Sequence, residues 1–298
     1  MKFWVLFVLT SSLFASEFED TFKQGRSAYL KKQFDESVQY FTKAEAQILE
    51  SRQLQRFISL YVNALIKSKQ YNEIENFHQR QYKGKFSKKN IDFSLDCFLL
   101  KAKYLLKKHD EIEPIYQRIM AEKSNYINKK HKAMAILYYA HSAYENERYE
   151  VAKENYFRIT DHNTLDEPLT LYLNLISSCF ETEQAADAAR ALTQALDQKV
   201  MNHENLDMIF ELIAKIREAK EFEPAIKLSK RILRDYAISS KERTACYKEI
   251  AMNYKQQNDY IRFLRIMEIS LIDNKLTPDD KEIIVALLPQ KKLSLQNQ

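Results

Sequence analysis

Six times along this chain an aromatic residue or an alanine is followed, three residues later, by a small or apolar one. The pairs are Phe34/Ser37, Tyr71/Ile74, Tyr149/Ala152, Ala185/Ala188, Phe222/Ala225 and Tyr260/Phe263. Their first members lie 37, 78 (twice 39), 36, 37 and 38 residues apart. A fixed period of this size marks a solenoid, in which each unit buries its apolar face only by stacking on its neighbours. The spacing therefore predicts an all-α chain whose default role is to present a binding surface.

Glycine content points the same way. Only Gly25 and Gly84 are glycine in a chain of 298 residues, where ordinary usage would give roughly twenty. Glycine supplies positive-φ turns and close backbone approach, so the chain has little use for β-hairpins or bulges. It also cannot build the phosphate cradles GxGxxG or GxxxxGK[ST], which excludes nucleotide enzymes of those two designs. No HExxH, GxSxG or CxxC pattern occurs, and the six histidines, at 78, 109, 131, 141, 162 and 203, lack metal-ligand spacing. Carboxylates such as Glu145, Glu147, Glu150 and Glu154 alternate with Arg148 and Lys153, as on a solvated helix face. The expectation is no enzyme, no cofactor and no metal.

Residues 1–15 read as a secretory signal peptide: Lys2 as basic start, Phe3–Leu9 as apolar stretch, and Ala15 as the small residue before the cut. Seven apolar residues are too few to span a bilayer, which needs about twenty. Together with the lack of any Asn-x-Ser/Thr sequon, this predicts export to a bacterial periplasm or cell envelope. The net charge of +5 is mild, so no nucleic-acid partner is expected. Basic connections at 80–89 and 129–132 read first as solvated loops and otherwise suit peripheral contact with an anionic membrane surface or an acidic partner. Cys97, Cys179 and Cys246 lie far apart and read as small buried residues of helix faces.

The clearest single copy runs from Gly25 to Ala44. Gly25, Ala28 and Ser37 take small positions, Phe34 stands at the turn, and Phe41 and Ala44 lie on the packing face. This pattern resembles the tetratricopeptide repeat. Later copies repeat it, with Ala140, Ala143, Tyr149, Ala152 and Tyr156 in the fourth, and Ala251, Tyr254, Tyr260 and Phe263 in the seventh. The resemblance implies an α-solenoid (superhelix) of about seven helical hairpins over residues 16–290, with a C-terminal capping helix opened by Thr277-Pro278-Asp279-Asp280. The third copy, about 93–122, is degenerate, because Lys108-His109-Asp110 replaces the turn aromatic; residues 291–298 read as a frayed tail.

By the same resemblance, residues one, four and five places after the small position of each first helix line a concave groove. Those singled out for binding are Arg26, Tyr29, Asn63, Lys67, His141 and Tyr144. A lysine at Phe22 and an asparagine at Arg26 would be needed for the family's carboxylate clamp, and neither is present. The functional expectation is a non-enzymatic scaffold that holds a partner peptide or domain in this groove. The alternatives are a structural subunit of an envelope-spanning or membrane-associated assembly, and a peptidoglycan- or carbohydrate-associated accessory protein.

Overall fold

The computed structural model describes residues 17–122, 128–159, 165 and 167–288. Residues 1–15 and 291–298, read above as leader and tail, lie outside them. Among the described residues there are fifteen α-helices and no strand. They fall into two compact units, one ending at Asp166 and the other beginning at Glu167.

The first unit holds α1 (residues 17–30), α2 (Phe34–Glu45), α3 (Ser51–Lys67), α4 (Tyr71–Gln81), α5 (Lys89–Leu105), α6 (Ile112–Ala121), α7 (Lys129–Glu145) and α8 (Tyr149–Phe157). The second holds α9 (Pro168–Glu181), α10 (Ala185–Asp197), α11 (Leu206–Glu218), α12 (Phe222–Asp235), α13 (Ser240–Gln256), α14 (Tyr260–Ile272) and α15 (Pro278–Val285). Within each unit the substantial contacts join a helix to the next one or the next but one. In the first unit α3 touches α5 and α5 touches α7, while the even helices flank them.

Amphipathic spacing accounts for the helices. In α3 the buried residues Leu54, Phe57, Ile58, Tyr61, Val62 and Leu65 recur at three- and four-residue steps, one stripe of a 3.6-residue helix. The prolines Pro114, Pro168, Pro224 and Pro278 all stand in the first turn of a helix, where a missing N–H costs no intrahelical bond. Thr277 caps α15 by accepting a hydrogen bond from the Asp280 N–H at 3.2 Å.

Seven turns share one device. Lys32, Lys69, Lys107, Glu147, Glu183, Lys220 and Asn258 each end an odd-numbered helix with φ between 56° and 66°. The next residue's N–H then bonds the carbonyl five positions back, as in Gln33 to Ala28 at 3.0 Å and Gln70 to Leu65 at 2.8 Å. The scarcity of glycine thus does not mean a scarcity of left-handed turns: the chain makes them with lysine, glutamate and asparagine. Two residues after each stands the turn residue, Phe34, Tyr71, His109, Tyr149, Ala185, Phe222 or Tyr260. His109 therefore fills the aromatic place of the third hairpin, in the same register as the others.

Close approach fixes the helix pairs. A Cβ added at Gly25 would lie 2.7 Å from the Phe41 ring, so only glycine lets α1 meet α2 here. The buried Ser37 hydroxyl donates to the Gly25 carbonyl at 2.8 Å. Phe22, Phe41, Phe57, Tyr61 and Phe77 then form a continuous run of ring contacts through the first unit, at centroid distances of 5.0–6.4 Å. In the second unit α9 and α10 close over Ala185, Ala188, Ala189, Ala191 and Ala195, all buried. All three cysteines are buried and none is in a disulfide.

Candidate functional site

The face that α3, α5 and α7 share in the first unit carries the strongest candidate site. Gln55, Ser59 and Asn63 follow one another at four-residue steps, so they form one stripe along α3. Asn90 and Ser94 start α5, and Asn128 and His131 start α7. Together with Ile58 and Ile91, these helix starts line a recess of about 130 Å³. The side chains of Gln55, Ser59, Asn63 and Asn90 have no hydrogen-bond partner among the described residues. Amides and hydroxyls left this way are available to another molecule, since each supplies a donor and an acceptor.

The rest of the recess is committed. Asn128 caps α7, accepting from the N–H groups of Lys130 and His131. Ser94 donates to the Asn90 carbonyl at 2.9 Å and meets His131 Nδ1 at 2.9 Å. Its one proton being used, the imidazole must donate at Nδ1. Burial, helped by the neighbouring Lys130, holds the His131 pKa down at about 4, so the ring is neutral.

At the other end of the same face lies an aromatic and charged cluster. The Tyr104 ring stacks on His141 at 5.7 Å and meets Tyr138 at 5.3 Å; the Lys101 ammonium stands 5.0 Å over Tyr138. The Tyr104 hydroxyl and Lys107 both donate to the Glu145 carboxylate at 2.6 Å. Burial raises the Glu145 pKa, but these two hydrogen bonds outweigh it and hold the group below its ordinary value. His109 meets the Ser142 hydroxyl at 2.9 Å through Nδ1.

The residues singled out from the sequence divide between surface and interior. Arg26 and Lys67 are exposed, and Asn63 is half-buried on the α3 stripe. Tyr29 and Tyr144 are half-buried and stand edge-on to the turn aromatics Phe34 and Tyr149, each at 5.6 Å, so part of each ring serves the hairpin turn. His141 is an interior residue: Nδ1 meets the Tyr156 hydroxyl at 2.6 Å, and burial holds its pKa at about 4. A surface contact was expected there, but the ring is taken up by the α7–α8 seam. Because α5 lies between α3 and α7, it separates Asn63 and Lys67 from the α7 pair. The α5 residues Lys101 and Tyr104 were not singled out, although the period of 37 or 38 residues places Lys101 after Asn63 and Tyr138 after Lys101. Phe22, at the absent clamp position, is a core residue.

Two other recesses are less apt. One of about 430 Å³ between α4, α5 and α6 is lined by groups already paired: Lys103 with Glu75 and Glu111, and Arg118 with Asp96, at 2.6–2.9 Å. The other, about 780 Å³ at the ends of α10 and α12, has Arg231 held by Asp197 at 2.8 Å. Among the described residues no cluster of His, Cys, Asp and Glu could hold a metal ion, and no helix is long and apolar enough to cross a membrane. In comparisons with known proteins the chain matches no family model and no curated protein.

Proposed function

We propose that this chain is an exported, tetratricopeptide-like α-solenoid that binds a partner polypeptide across α3, α5 and α7 and catalyses no reaction. The observation that carries this reading is the row of unpartnered Gln55, Ser59, Asn63 and Asn90 side chains beside the Lys101–Tyr104–Tyr138 cluster. An extended peptide has a backbone donor and acceptor at every residue, which such a row can satisfy. The half-buried Tyr104 and Tyr138 rings add rigid aromatic contact for the peptide's side chains, with the buried Lys101 holding Tyr138 from beneath. Support for the repeat reading comes from the seven left-handed turns at the sequence period and from helix contacts confined to near neighbours. Helices that hold one another in this way keep the face preorganised, which lowers the entropy lost on binding.

Site-specific photo-crosslinking in cell envelopes tests the binding half. A photoreactive residue at Asn63 or Tyr138 is expected to yield a discrete adduct that Gln55→Ala together with Asn90→Ala weakens, and one at the exposed Lys43 on α2 is not. Equal labelling at all three positions would defeat it. Export rests on the leader, residues 1–15. Amino-terminal sequencing of the envelope protein is expected to begin at Ser16, and a retained Met1 would contradict cleavage.

A further inference from the structure

Single exposed apolar side chains are ordinary on a protein surface, but a cluster of them on one helix is not. Five of the nine large apolar side chains exposed among the described residues lie on α14: Tyr260, Ile261, Leu264, Ile269 and Ile272. Ile261 and Ile272 are 83% and 80% exposed. The helix already buries Phe263, Ile266, Met267 and Ser270 on its inner side. At 3.6 residues per turn, Ile261, Arg265, Glu268 and Ile272 fall within about 60° of arc on the outer side, with Leu264 and Ile269 on its flanks. Arg265 and Glu268 are exposed and have no ion-pair partner among the described residues.

The order of these residues is what identifies the occupant. Ile261 and Ile272, Leu264 and Ile269, and Arg265 and Glu268 are all centred on the same point, between Ile266 and Met267. The outer face thus reads apolar, apolar, positive, negative, apolar, apolar from one end to the other. A two-fold axis across the helix at that point lays a second copy antiparallel on the first. Ile261 then falls opposite Ile272 of the partner subunit, and Arg265 within reach of Glu268 of the partner subunit, with both contacts repeated by symmetry. Parallel pairing in register would instead bring arginine to arginine and glutamate to glutamate, so the charges select the antiparallel arrangement.

We infer that α14 is a self-association surface, which joins two copies of this chain through an antiparallel, isologous helix pair. The helix is about 20 Å long at 1.5 Å per residue, so by itself it falls short of the roughly 800 Å² per partner of a standard stable interface. The association is accordingly weak and reversible. It does not depend on the peptide-binding reading of the first unit, because no residue is shared.

Sedimentation equilibrium of the full chain tests it. The apparent mass is expected to rise with concentration from one copy towards two. Arg265→Glu and Glu268→Arg each set like charges against each other at both symmetric contacts, and each is expected to weaken association about tenfold or more. An equimolar mixture of the two variants restores both opposite-charge contacts, and a heterodimer is expected. Both positions are exposed, so folding is spared; unchanged far-UV circular dichroism checks this. A chain that stays monomeric throughout, variants that associate like the parent, or a mixture that does not associate would each overturn the proposal.

Discussion

The two units use the same hairpin and fill it differently. The first packs aromatic rings and buried polar groups: Phe57 and Tyr61 at its centre, His78 on Asp96, and His141 on Tyr156. The second closes α9 on α10 over alanine, sets rings such as Tyr172 and Phe263 among aliphatic side chains, and concentrates its buried charge in Arg243, held by Asp273 at 2.6 Å. Rings and polar pairs have directional requirements, whereas alanine demands only closeness. The unit with the directional interior also carries the unpartnered amides of the α3–α5–α7 face. The second unit carries the apolar outer face of α14. The difference suggests that one unit is built to hold a polypeptide segment in place and the other to meet a broad surface.

Substitution tests the contrast from its strongest point downward. Phe57→Ala removes a fully buried ring that touches four others, and a loss of about 3–5 kcal/mol is expected in urea unfolding. Hydrogen exchange should show the loss in the first unit. A loss below about 1 kcal/mol would mean that the ring run is not what holds that unit together. Ala188→Leu is the counterpart in the second unit, where overpacking a buried alanine of α10 is expected to cost about 1–3 kcal/mol. A neutral result would show that α9 and α10 are free to separate.

Acid should also act on the first unit. His131 and His141 both have pKa values lowered to about 4 by burial, so they are neutral when folded and take up a proton on unfolding. Their contribution is fully present above the unfolded value of about 6.5 and is lost as pH falls from there towards about 4. Across that window each is expected to cost about 1.4 kcal/mol per pH unit at most. The check is the urea midpoint at pH 7 and pH 5. A midpoint that does not move would show the imidazoles to be accessible to solvent. The smallest effect concerns a turn that both units share. Lys220 holds φ at 66°, so Lys220→Gly relieves left-handed strain and is expected to add about 0.5–1 kcal/mol. Destabilisation instead would show that the side chain matters more than the backbone.

Much of the fold was legible in the spacing, because small and aromatic residues are needed at fixed points where two helices cross. Gly25, Phe41 and Ser37 could be assigned to packing, and they meet there. The third hairpin was harder, since His109 does the work of an aromatic while a sequence pattern scores it as polar. The copy therefore reads as degenerate, and Lys101 and Tyr104 on α5 do not stand out in it. Gln55, Ser59 and Asn90 were passed over for another reason: a polar residue on an amphipathic helix reads as solvated, and only the packing of α3 beside α5 gathers them. His141 shows the reverse error, because its place in the repeat suggested surface and its hydrogen bond to Tyr156 draws it inside. On α14, the buried and the exposed apolar residues alternate too closely for periodicity to separate the two faces.

The central claim is that a partner lies across α3, α5 and α7. Hydrogen exchange of the protein with and without the partner captured at Asn63 measures this most directly. The account predicts added protection in residues 55–67, 89–105 and 129–145, with α4, α6 and the second unit unchanged. Protection confined to α4 and α6, or to the second unit, would contradict it.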